Sequence, residues 1–200
     1  MGTTMDIRTV LRKYPIIAAF REIKNLRPAK FTEVGIFFIL GGTIFELPEI
    51  VHEATRYDKY IFVDIDLIKG AGKDSAGIRY LAKESRVHGI ITTKSSLIKS
   101  AKKEGLLSIQ RIFVLDSESL SGALSVVEKS GPDAVEVLPG LILPKIIEKI
   151  RIRTKIPIIA GGLITKYDEA KEILASGAIG ISTSSQHLFS NHSAQRVRNS

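Results

Sequence analysis

The 200-residue chain carries 44% hydrophobic residues, no cysteine and a formal net charge of +8. That apolar share supports a single domain with a packed core and excludes wholesale disorder. The lack of cysteine excludes a disulfide framework and any thiolate metal centre. The longest apolar run, residues 34–40, is far short of the roughly 20 residues a membrane span needs. Residues 1–8 hold no apolar stretch of signal-peptide length, so a cytoplasmic protein with no membrane partner is expected. The surplus of Lys and Arg is spread along the chain. It suits either an ordinary lysine-rich surface or one that attracts RNA or anionic metabolites.

Residues 1–13 precede the first strand signal and read as an N-terminal extension. From there, Ile-, Val- and Phe-rich runs alternate with helical patterns. Strands are predicted at 15–20, 34–40, 60–66, 89–93, 107–115, 134–138, 156–160 and 179–183. Helices are predicted at 48–56, 95–104, 118–129, 144–153 and 167–175, where apolar residues recur every 3.6 positions. Segment 26–31 has room for only a turn or two. Asp116 or Ser117 is placed to cap the helix after the fifth strand and Thr165 the one after the seventh. Pro144 suits a first helical turn, and Gly105, Gly131 and Gly177 fall where helices should stop. Residues 191–200 read as a polar tail. Eight strands with short crossovers point to an α/β fold, a compact single-domain (β/α)8 TIM-type barrel over residues 14–190. The runner-up is an open doubly wound sheet.

Parallel strands covered on both faces place function at their C-terminal ends. After the seventh strand comes Gly161-Gly162; after the eighth comes Ser182-Thr183-Ser184. In barrels these two turns commonly cradle phosphate, with backbone N–H groups and hydroxyls as donors. The plainer alternative is a tight turn followed by a helix cap. In the third strand, alternation puts Asp64 and Asp66 on one face, where carboxylates could take polyol hydroxyls, a cation or a buried Arg. In the fifth, either Gln110 or Arg111 must face the interior. A buried guanidinium needs a partner, for which Asp66, Glu136 or the ligand's phosphate would serve. Lys94 closes the fourth strand and Arg21 follows the first. Each is a candidate phosphate cation or a solvated side chain. None of the four histidines falls at the end of strands one to seven, and there is no Gly-x-Ser-x-Gly turn. The predicted pocket is thus suited to binding more than to acid–base or nucleophilic catalysis, and no metal set is apparent.

Six blocks carry a family resemblance: Asp66-Leu67-Ile68 with Gly70, Gly89-Ile90-Ile91-Thr92-Thr93-Lys94, Ile109-Gln110-Arg111-Ile112-Phe113, Glu136-Val137-Leu138-Pro139-Gly140, residues 157–164, and Ile181-Ser182-Thr183-Ser184. Together, over residues 14–189, they resemble the glycerol-3-phosphate-responsive antiterminator family. The resemblance implies a (β/α)8 barrel that senses glycerol 3-phosphate as effector and uses no cofactor. It also implies binding to the leader mRNA of a glycerol-catabolism operon, preventing premature transcription termination. Two positions depart from the family, which usually has His at Asp64 and an acidic residue at Lys69.

On this expectation Gly161, Gly162, Ser182, Thr183 and Ser184 hold the phosphate. Asp66, Arg111, Glu136, Lys94 and Gln110 line the rest of the site. Ligand binding would order the strand-end loops. RNA contacts are expected on the outer helices, at Lys145, Lys149 and Arg153 or at Lys102 and Lys103; the plainer alternative is an ordinary solvated helix face. Two other readings compete. One is a barrel lyase, isomerase or phosphodiesterase acting on a small phosphoester, with Asp64, Asp66 and Glu136 around a cation. The other is a barrel whose surface binds protein, for example as a homo-oligomer.

Overall fold

The computed structural model describes residues 6–189. Strands β1 (Ile16–Phe20), β2 (Ile36–Ile39), β3 (Tyr60–Asp64), β4 (Gly89–Thr92), β5 (Leu107–Phe113), β6 (Ala134–Leu138), β7 (Ile158–Gly161) and β8 (Gly180–Thr183) pair in parallel in sequence order. Strand β8 pairs with β1 through Ile17 and Ser182, closing the barrel and overturning the open-sheet alternative. Helices α1 (Ile7–Lys13), α2 (Leu47–Arg56), α3 (Ser75–Lys83), α4 (Ser95–Lys103), α5 (Ser117–Ser130), α6 (Leu143–Arg153), α7 (Tyr167–Ser176) and α8 (Gln186–Phe189) complete the order. No helix among the described residues is long and apolar enough to cross a membrane.

Strands buried on both faces need apolar residues at nearly every position, which is why they read as continuous runs rather than alternations. Their outward side chains pack against the helices. Their inward side chains, among them Ile17, Phe38, Phe62, Ile91, Ile109 and Ile159, fill the barrel itself. The Phe38 and Phe62 rings lie 5.9 Å apart at its centre. The supposed N-terminal extension contains α1, capped by Asp6, whose carboxylate accepts from the Arg8 amide. Ile7 and Leu11 of α1 join the interior cluster, so this helix plugs the N-terminal end of the barrel.

The stop signals at Gly131 and Gly177 hold, both residues ending their helices in left-handed backbone. Asp116 caps α5. Thr165 does not cap α7; Lys166 occupies that position, and the Glu169 carboxylate accepts from both the Thr165 and Lys166 amides. Between β1 and β2 the crossover is only a 3₁₀ turn, Pro28–Lys30. Rings of Phe20, Phe31, Phe37 and Phe189 pack there at 5.6 to 6.3 Å. Lys59, 6% exposed, donates to the Phe31 and Val34 carbonyl oxygens of the same irregular stretch. Burial pulls its pKa below the ordinary lysine range, with Glu33 pushing the other way.

Candidate functional site at the barrel mouth

The interior changes character one layer below the C-terminal end. Parallel pairing sets Arg111 of β5 beside Glu136 of β6, and Asp64 of β3, with only β4 between, reaches Arg111 from the other side. Arg111 Nε donates to Glu136 Oε2 at 2.7 Å, and its Nη1 donates to Asp64 Oδ2. Asp64 and Glu136 are each 1% exposed. Leaving one guanidinium for two buried carboxylates is costly unless hydrogen bonds compensate. Burial pushes the Asp64 carboxyl above its ordinary range, while the Arg111 guanidinium opposes that rise. Burial also opposes the Arg111 charge, but Glu136 and then Asp64 override it and hold the guanidinium protonated. Two of the three carboxylates that an enzyme reading would gather around a cation, Asp64 and Glu136, thus clasp Arg111 instead. Arg111 Nη2 has no protein acceptor among the described residues.

Above this floor opens a cavity of about 620 Å³. Arg111 and Glu136 form its base; Gly162, Leu163, Ser182, Thr183 and Ser184 form one wall, with Arg21 at the edge. The turns after β7 and β8 therefore face one shared space. Gly161 is required here, because a Cβ would lie 2.5 Å from Glu136 Oε1. Among the described residues, the Gly162 and Ser184 amides have no protein acceptor. The Thr183 hydroxyl is not available to a ligand. It donates to the Ile164 carbonyl oxygen at 2.8 Å and accepts from the Ser185 amide, tying the two turns together.

The rest of the rim is stitched in the same way. Loops after β2 and β3 exchange bonds, Ile44 N to Lys69 O and Lys69 N to Gly42 O, each at 3.0 Å. Asp66 Oδ2 accepts from the Thr92 hydroxyl and the Thr93 amide, joining the ends of β3 and β4. Val114 N donates to Leu138 O, and Gly140 N to Gly162 O. These bonds preform the mouth, so loop ordering by the ligand is not needed to build it.

Several expected site residues sit elsewhere. Gln110 faces the helical layer, where its Oε1 accepts from the Ser130 hydroxyl of α5; Arg111 is the inward member of the pair. Asp66 lies past the end of β3, in a turn, so strand alternation no longer governs it. Its Oδ1 is buried without a protein partner, and Arg111 is held by Asp64 instead. Lys94 is the exposed residue at the start of α4 and does not line the cavity. On the outer helices, Arg153 ties α6 to α5 through Glu128, Ser121 and Ser125. Lys102 donates to the Gly131 carbonyl oxygen. Lys103, Lys145 and Lys149 are exposed. Arg21 and Asp64 are the residues whose place in the site the sequence left open.

The sequence matches the description "glycerol-3-phosphate responsive antiterminator" over residues 16–189. A glycerol uptake operon antiterminator regulatory protein from Listeria monocytogenes is 33% identical, with a TM-score of 0.79 over 86% of this chain and 93% of its own. A glycerol uptake operon antiterminator-related protein from Thermotoga maritima is 34% identical, with a TM-score of 0.76 over 87% of this chain and 96% of its own. The uncharacterized protein YgcP of Escherichia coli (strain K12) is 33% identical over 92% of this chain and 96% of its own. An eight-stranded parallel barrel matched along nearly its whole length in this way belongs to the glycerol-3-phosphate responsive antiterminator family.

Proposed function

We propose that the mouth cavity takes glycerol 3-phosphate, and that the loaded protein binds the leader mRNA of a glycerol-catabolism operon and opposes premature termination. The observation that carries this reading is the convergence of the β7 and β8 turns on one cavity, with Gly162 and Ser184 amides lacking protein acceptors. Those amides and the Ser182 and Ser184 hydroxyls would bind phosphate oxygens, each charge-assisted bond contributing about 1.5–3 kcal/mol. Arg21 at the edge supplies positive charge that Lys94 does not. The glycerol hydroxyls would meet Glu136 as acceptor and Arg111 Nη2 as donor. Buried polar groups of this kind discriminate strongly against a ligand that lacks the matching hydroxyl.

The same geometry favours a regulator over a catalyst. Glu136, which lines the cavity, and Asp64 are both engaged by Arg111. Regulation then requires that RNA bind the loaded protein more tightly than the empty one, since a ligand with equal affinity for both forms shifts nothing.

The test is filter binding of transcribed leader RNA with and without glycerol 3-phosphate, over a salt series. Ligand-enhanced binding that weakens steeply with salt is expected. RNA affinity identical in both conditions would sink the sensor reading. Hydrolysis or isomerisation of glycerophosphoesters in the presence of a divalent metal would replace it with the enzyme reading.

A further inference from the structure

Six large apolar side chains stand exposed at the C-terminal ends of β2, β3, β5, β6 and β7: Phe113 as the last residue of β5, and Phe45, Leu67, Leu115, Leu141 and Leu163 on the loops that follow. Phe45 is 85% and Leu115 87% exposed. Parallel strands place all these loops at one end of the barrel, the cavity end. Isolated exposed apolar residues need no explanation, whereas six on one rim mark an interaction surface.

Charge on that rim selects the occupant. Arg21, Lys24, Lys69, Lys73 and Lys94 follow β1, β3 and β4, and none forms an ion pair among the described residues. Three acidic residues of the same end are held by backbone amides: Asp74 caps α3, Asp116 caps α5, and Glu169 binds the start of α7, while Glu22, Glu118 and Asp168 are exposed. Part of the anionic charge of this end is therefore turned onto helix N-termini, while these five cations are presented outward. A second copy of the chain docked mouth to mouth would bring these cations against one another, which costs affinity. A nucleic acid strand offers both phosphates for the cations and base faces for Phe45 and Phe113. By contrast, several of the outer-helix cations are engaged internally: Arg153 by α5, Lys102 by the Gly131 carbonyl, and Arg151 by Glu148 and the Gly177 carbonyl.

We infer that RNA binds as an unpaired loop across the cavity rim, bases against Phe45, Phe113 and Leu115 and phosphates on Lys69, Lys94 and Arg21, and not along the outer face of α6. This inference rests on the regulator reading and sharpens it. Phe113 and Leu163 wall the ligand cavity and also face out onto the rim. One surface then feels both partners, and coupling needs no transmission through the barrel.

The test uses the full chain and a leader RNA with 4-thiouridine in its loop, saturated with glycerol 3-phosphate. Photo-crosslinks are expected in residues 41–46 and 113–116. Phe45→Ala and Leu115→Ala should each weaken RNA binding at least about tenfold. Lys69→Gln should lower the salt slope by about 0.7, the share of one phosphate contact on a single strand. Thermal unfolding checks that each variant is folded. Crosslinks on residues 143–153, or binding that survives the rim changes and is lost in a Lys145→Glu/Lys149→Glu double variant, overturns the inference and leaves the regulator reading standing. A dimer in sedimentation that Phe45→Ala dissociates assigns the rim to a second copy and overturns it as well. Absence of RNA binding by the unaltered, loaded protein removes the regulator reading, and the inference falls with it.

Discussion

The two ends of the barrel share the same eight strands but are held together by different physics. At the N-terminal end Ile7 and Leu11 of α1 close an apolar interior, and stability there follows buried area and packing. At the C-terminal end Asp64, Arg111 and Glu136 replace apolar side chains, and stability depends on pairing and on pH. A sealed, dry end thus carries the fold, while a charged, open end keeps polar groups facing a cavity. The contrast matches the general division in barrels, where strand N-termini serve stability and strand C-termini serve function.

Four changes sharpen or break this contrast. The largest effect is expected for Arg111→Met, which strands two buried carboxylates and should cost about 3–5 kcal/mol in urea unfolding at pH 8. Because the Asp64 pKa is already raised, losing Arg111 raises it further. The carboxyl then takes up a proton as pH falls, and the penalty should shrink at pH 5. A penalty independent of pH would break the electrostatic account. Next is Leu11→Ala at the sealed end, expected to cost about 2–4 kcal/mol with no pH dependence and unchanged glycerol 3-phosphate affinity. Ser182→Ala should do the reverse. Calorimetry should show affinity reduced about tenfold, with a stability change below about 1 kcal/mol.

The smallest effect concerns His88, at the sealed end. Its Nδ1 accepts from the Ile61 amide at 3.0 Å, and burial holds its pKa below the ordinary 6.5. Below pH 6.5 the unfolded chain binds a proton that the folded protein resists. The contribution of His88 is therefore full above 6.5 and is lost as pH falls through its folded pKa. His88→Asn keeps an acceptor but cannot titrate. It should flatten the acid limb of a stability–pH curve by less than about 1.4 kcal/mol per pH unit.

Strands were legible because burial on both faces writes them as apolar runs, and helix ends because Gly131, Gly177 and Asp116 are local signals. Helix α3 was not foreseen. Its Gly77 argues against a helix, yet a Cβ there would lie 1.8 Å from the Gly72 carbonyl oxygen, so tertiary crowding overrides propensity. Helix α1 was missed since Ile7 and Leu11 make too short a pattern to announce a plug. The two turns that line the cavity were readable from position alone, both flanking predicted strand ends. The floor was not. Ile109 and Ile112 flank the Gln110–Arg111 pair, so alternation has no phase there until the register with β6 fixes it. Likewise Asp64 and Asp66 are distinguishable only once β3 is seen to stop at the former.

Lys59 shows how a barrel can be closed with little chain. Where one crossover has no α-helix to satisfy its own carbonyls, a single amine from the following crossover reaches back and serves two of them. That amine is sequestered from solvent, so an acylating reagent that labels surface lysines within minutes should reach it only when this corner opens. Its labelling rate is then a local clock for breathing of the wall, readable by mass spectrometry without unfolding the rest of the molecule.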